Sequence, residues 1–283
     1  MSLDTLQIHS DRDAVAPRHI PRAQGAIDVS VHCRDGATRL SALRQSGCMK
    51  CVFPTIFRPD AEAVLVNTSG GVTGGDRISV SGAIGEDSTL TLTTQAAERI
   101  YRTTDGTTGG VQTRLCVAPG GRLNWLPQET IVFDRARLRR DLRIDLAKGA
   151  TALLCETLVF GRAAMGETLQ DVSLHDSIKI TRCGLPLFLD AVRLNGAVAQ
   201  HMDRAAIGNG AGVVATAVLV SPQAGLLLPK VRALLPATGG ASLRNEDVLV
   251  VRALAEDSLA LRRFMIPVLE HLAGQPLPAV WRL

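Results

Sequence analysis

Aromatic residues make up only 3% of this 283-residue chain, with a single tyrosine, Tyr101, and two tryptophans, Trp125 and Trp281. Single-stranded nucleic acid is held largely by stacking bases on aromatic faces, so that role lacks its platforms. Lysine is equally scarce, confined to Lys50, Lys148, Lys179 and Lys230. None of the four precedes a serine or threonine, which excludes the Gly-Lys-Ser/Thr ending of a nucleotide-binding loop. Neither a Gly-x-Ser-x-Gly elbow nor a His-Glu-x-x-His helix occurs. The histidines, His9, His19, His32, His175, His201 and His271, are scattered, and none stands at ligand spacing from another. No catalytic constellation is visible. The longest uncharged stretch lies between Arg204 and Lys230, and its apolar part, Val213 to Val220, is too short to span a bilayer.

What is present describes a chain with a core: 46% hydrophobic residues against 20% charged. The net charge of +4 is carried almost wholly by arginine, whose planar fork pairs with carboxylates in two-point contacts and suits protein interfaces. Residues 1–25 are polar, with Asp11, Arg12, Asp13, Arg18 and Arg22 and no apolar run. Six cysteines without a secretion signal point to a reducing compartment and free thiols, so a cytoplasmic location is expected.

Residues 1–24, with Pro17 and Pro21, read as a flexible leader, and 25–283 as one domain. Apolar and polar residues alternate in Ile27-Val29-Val31, Ile78-Val80, Leu115-Val117, Leu142-Ile144-Leu146 and Ile178-Ile180. That is the period of half-buried strands. Turns at Gly82/Gly85, Gly109/Gly110, Gly120/Gly121, Gly149 and Gly184 separate the runs. The pattern predicts a mostly-β fold of stacked, largely antiparallel sheets in a single domain. Helices are expected late: a short one opened by Pro229, and a longer one from an N-cap at Ser258 to Gly274, with Leu261, Met265, Leu269 and Leu272 on its core face.

Three segments invite chemistry. Asn67 to Asp76 carries four glycines, but a strand at Arg77 follows where a phosphate loop needs a helix, so a tight turn using positive φ is the better reading. Cys48-x-x-Cys51 offers two ligands where structural zinc takes four, and on a strand the two thiols face opposite ways. In the stretch from Asp134 to Asp145, Arg135, Arg137, Arg139, Asp141, Arg143 and Asp145 share one face of a strand. That face is either a solvated surface or a partner-binding one formed by Arg135, Arg137, Arg139 and Arg143.

Gly70-Gly71-Val72-Thr73-Gly74-Gly75-Asp76, then Thr93-Thr94-Gln95-Ala96-Ala97 with Tyr101-Arg102, then Trp125 through Asp134, then Glu156 with Phe160-Gly161-Arg162 and Gly166-Glu167, follow one another in order. Together with Val250 to Leu254 and Leu261-Arg262, this series resembles the landmarks of UreD (UreH) urease accessory proteins, collinearly from about residue 25 to the end. Thr68-Ser69 stand where the family pattern carries two prolines. The resemblance implies a non-catalytic scaffold that binds UreF, through it the GTPase UreG, and apo-urease, and that assists GTP-dependent nickel insertion. No tightly bound cofactor is implied, only nickel in transit, and neither nucleic acid nor a membrane is a partner. Glu129, Asp134, Glu156 and Glu167 lie in the matched blocks and are the candidate nickel-transit ligands. Hard carboxylate oxygens would hold the ion loosely enough to release it. The competing explanation for each is an ion pair with an arginine such as Arg102 or Arg162, since a buried carboxylate is costly alone. An uncharacterised β-fold enzyme or ligand-binding domain is the alternative function.

Overall fold

The computed structural model describes residues 21–162 and 165–282; most of the expected leader lies outside them. The chain begins with a long hairpin, β1 (Gln24–Arg34) and β2 (Ala37–Gly47), then passes Cys48 into β3 (Met49–Val52). From there successive long strands alternate between two sheets. One sheet takes β4 (Ala61–Asn67), β6 (Thr89–Thr94), β9 (Arg122–Leu126) and β12 (Thr151–Phe160); the other takes β5 (Arg77–Ile84), β8 (Gly109–Val117), β11 (Arg137–Leu146) and β13 (Val172–Arg182). Two short strands, β7 (Glu98–Ile100) and β10 (Thr130–Val132), add a side ladder. The chain then runs through β14 (Leu185–Gly196), α1 (Val198–Met202), β15 (Val213–Val220), α2 (Ala224–Leu234), β16 (Gly239–Asn245), β17 (Val248–Ala255) and α3 (Ser258–Ala273).

The sheet holding β5, β8, β11 and β13, hereafter A, has the order β14-β13-β11-β8-β5-β1-β2, and sheet B the order β16-β17-β15-β12-β9-β6-β4-β3. The mostly-β, stacked-sheet architecture with helices towards the C-terminus agrees with the reading of the sequence. Strand direction does not. β1, β5, β8, β11 and β13 run parallel, as do β4, β6, β9 and β12; antiparallel pairs are confined to the flanks. The reason lies in the turns. Gly36 and Gly184 close true hairpins, but the connections at Gly85, Gly120/Gly121 and Gly149 carry the chain from one sheet to the other. Each return to a sheet is therefore in the original direction, and the strands coil rather than zigzag.

The alternation fixes the packing. Inward positions such as Ile27, Leu115, Ile144 and Ile180 of sheet A meet Leu90, Leu92, Leu123 and Leu154 of sheet B in the principal core. A second core lies on the other side of sheet B, where Leu153, Cys155 and Leu219 meet α2 and α3. Each such side chain contributes roughly 1.5–3 kcal/mol by leaving water.

The helices start earlier than expected. α2 begins at Ala224 and holds Pro229 in its interior, while Asp257 rather than Ser258 caps α3, accepting from Ala260 N at 2.7 Å. Leu261, Met265, Leu269 and Leu272 are buried as expected, and Gly274 ends the helix at φ 70°. The glycine segment is a turn: Gly70, Gly71 and Gly75 all have positive φ. A Cβ on Gly71 would lie 2.4 Å from the Tyr101 ring.

Candidate functional site

Between the sheets lies a cavity of about 240 Å³. Ile78, Val80 and Leu142 of sheet A and Leu65 and Trp125 of sheet B form apolar walls. Gln95, Ala96 and Arg99 also line it and are exposed, which places its mouth at the β6–β7 connection, next to Asn67 and Glu98. Asn67 Nδ2 donates to both Glu98 oxygens at 3.2 Å, and burial raises the Glu98 pKa despite that bond.

The inner end is polar. Arg140 occupies an inward position of β11, between Leu138 and Leu142, where the strand alternation calls for an apolar side chain. Its Nε and Nη2 donate to Asp176 of β13 at 2.9 and 2.5 Å, and Nη1 donates to Thr130 at 2.8 Å. Nη1 also lies 2.7 Å from Glu156 Oε2 of β12, in the opposite sheet. That contact is a close ion pair joining the two sheets. The other oxygen, Oε1, accepts from Trp125 Nε1 at 2.7 Å.

One guanidinium thus faces two carboxylates in a buried interior. Burial pushes Glu156 above the ordinary carboxylate range, against the attraction of Arg140 and helped by Asp176. Burial works against the Arg140 charge too, but Asp176 and Glu156 outweigh it and hold the proton firmly.

Glu156 borders a second, smaller cavity of about 20 Å³, room for roughly one water molecule. Asp176, Asp190 and Thr216 line it as well. Register explains the alignment: Glu156, Thr216 and Arg252 are direct neighbours across β12, β15 and β17. Arg252 joins two of the lining residues, 2.7 Å from Asp190 and 2.9 Å from Thr216 Oγ1. Polar groups therefore mark the two ends of an interior lane between the sheets, Asn67 and Glu98 at the mouth and Glu156 with Thr216 and Arg252 at the inner end, with apolar walls between them.

Of the four sequence candidates, only Glu156 lines these cavities. Glu129 is clamped by Arg262 of α3, which donates Nε to Oε1 at 2.7 Å and Nη2 to Oε2 at 2.8 Å. Asp134 and Glu167 are brought together at a surface corner with Tyr101, Phe133, Arg102, Arg135 and Arg162. Glu167 receives Arg162 Nε at 2.9 Å and Asp134 N at 3.3 Å, while Asp134 Oδ1 accepts from Gln170 N and Asp171 N. The Arg162 bonds hold the Glu167 pKa low. Arg162 thus pairs with Glu167, whereas Glu129 and Glu156 take Arg262 and Arg140, neither of which the sequence suggested. Among the described residues no group of three or more His, Cys, Asp or Glu side chains could hold a metal ion. Cys48 sits half-buried before β3 and Cys51 is buried within it.

The expected arginine face is divided. Arg135 has φ 61° and precedes β11, so it does not share the strand's face. Arg137 is held by Asp171 at 3.1 and 2.7 Å and Arg139 by Asp141 at 3.1 Å, while Arg143 is exposed. Arg140 and Asp176 escaped the sequence reading, yet each left a signal: a charge in the apolar phase of an otherwise regular strand.

Fold and site together define a class: a two-sheet β coil whose buried charges are held in ion pairs around an interior cavity. The description "UreD urease accessory protein" belongs to the family whose model matches residues 23–282, and this chain is a member of that family. It is 49% identical over 244 residues to "Urease accessory protein UreD" of Ruegeria pomeroyi, covering 86% of this chain and 95% of that one. The protein of the same name from Roseobacter denitrificans is 46% identical, with 94% and 97% covered. That of Agrobacterium fabrum is 39% identical, with 96% and 95% covered. No helix among the described residues is long and apolar enough to cross a membrane.

Proposed function

We propose that this chain is a cytoplasmic, non-catalytic scaffold for urease maturation. It binds apo-urease and, through UreF, the GTPase UreG, and it assists GTP-dependent delivery of nickel to the urease active site. Nickel is cargo and passes along the interior lane between the sheets, with Glu156 as the central station. The observation that carries this reading is the position of Glu156, a buried carboxylate on the border of both cavities. Carboxylate oxygen is a hard, exchangeable ligand, suited to an ion that must move on. Glu129, Asp134 and Glu167 are committed to arginines and backbone amides, so they support the walls of the assembly rather than the ion.

Glu156→Gln keeps shape and removes charge. In cells co-expressing urease, UreF and UreG, the variant should copurify with UreF and UreG as the wild type does, yet yield urease with less nickel. Unchanged nickel content in an intact complex would exclude Glu156 as the station. Failure of the wild-type chain to copurify with UreF would overturn the scaffold assignment.

A further inference from the structure

The outer face of sheet A carries a row of side chains that crosses the sheet in register. Lys179 of β13 stands directly beside Arg143 of β11, and Arg143 directly beside Arg114 of β8. All three are exposed, on strands spaced about 4.8 Å apart. The row continues to Leu189 of β14, a leucine left 64% exposed, and on the other side to Ser81 of β5. Like charges directly opposite one another across a ladder destabilise a sheet, so three in succession are a standing cost to the free chain.

The nearest carboxylates flank the row and are already engaged by other groups. Asp141, one row away, accepts from Ser177 Oγ at 2.6 Å and from Arg139, and Asp145, on the other side, accepts from Thr181. Among the described residues, none of the three cations lies within 4.0 Å of a carboxylate, in contrast to Arg137 and Arg139. A sheet face with unpaired cations, most of them arginines, and an exposed leucine at its end offers two-point pairing for carboxylates and an apolar anchor.

The geometry points to this row as a docking surface for an acidic protein surface, and the partner the family reading supplies is apo-urease. The inference rests on that reading and deepens it, by locating the contact on sheet A, outside the interior lane.

The test measures apo-urease binding to the full chain at about 50 and about 200 mM salt. The triple variant K179Q/R143Q/R114Q is compared with K50Q/K230Q/R244Q, which removes three exposed cations elsewhere. The row variant should bind at least about tenfold more weakly at low salt and lose most of the salt dependence, while the control stays within about twofold of the wild type. Equal loss in both triples, or in neither, overturns the row as the contact. Wild-type binding to duplex DNA as tight as to apo-urease would make the face a general polyanion surface and overturn the acidic-protein assignment. No binding of apo-urease by the wild type would overturn the scaffold reading and this inference with it. Circular dichroism of each variant confirms the fold before affinities are compared.

Discussion

Arg140 and Glu156 stand on opposite sheets and meet 2.7 Å apart across the interior, so their ion pair is a strut between the two layers. Both are deeply buried, and Asp176 draws on the same guanidinium. Removing one partner of such a set strands charge in the core. Arg140→Met should therefore cost roughly 3–5 kcal/mol in urea unfolding. A loss under 1 kcal/mol would mean that the strut carries no weight.

The same cluster gives stability a pH dependence. Folding raises the Glu156 pKa above its ordinary 4.5 through burial, so the folded state favours the protonated acid. That contribution is complete below about pH 4.5 and is lost as pH rises through the folded value. The stability of the wild type relative to Glu156→Gln should accordingly fall as pH rises above about 4.5. Urea midpoints of the two proteins across that range give the sign directly; a rising difference would refute the shift.

Arg262 fastens α3 to the β9–β10 segment. It binds both Glu129 oxygens and Gln128, and its guanidinium lies 5.9 Å from the Trp281 ring. Trp281 Nε1 donates to Leu126 O at 3.1 Å. Arg262→Met should cost roughly 2–4 kcal/mol and red-shift part of the tryptophan emission, as Trp281 gains water. Unchanged emission would place the latch elsewhere.

Thiol reactivity should divide sharply. Burial pushes Cys51 up to about 11 and Cys155 up to about 12, so neither forms thiolate at neutral pH, whereas Cys116 and Cys183 are exposed. Alkylation followed by peptide mapping should modify Cys183 within minutes and leave Cys51 and Cys155 untouched until denaturant is added. Early labelling of Cys155 would contradict its burial.

The legible part of the fold was the part written as periodicity. Ile27-Val29-Val31 and Leu142-Ile144-Leu146 show which face of a strand is buried, and Leu261, Met265, Leu269 and Leu272 show the same for α3. Alternation does not say which strand lies alongside. A glycine turn at Gly149 looks the same whether it closes a hairpin or carries the chain to the facing sheet, so parallel pairing stayed hidden. The candidate site was half legible. Glu156 was recognisable as a carboxylate in an apolar run, but Arg140 was submerged among Arg137, Arg139 and Arg143, and only its phase within β11 set it apart. Arg262, 133 residues from Glu129, has no local signal that joins them.

The coil gives the interior lane a unit of length. Because each strand supplies one inward side chain at a given level, distance along the lane is counted in strands, not in residues. From β4 to β17 there are five spacings of sheet B, about 24 Å at about 4.8 Å each. Lengthening a loop leaves that span unchanged, while removing one strand shortens it by a full step. The lane is as long as the stack is tall, and its gauge is the hydrogen bond between neighbouring strands.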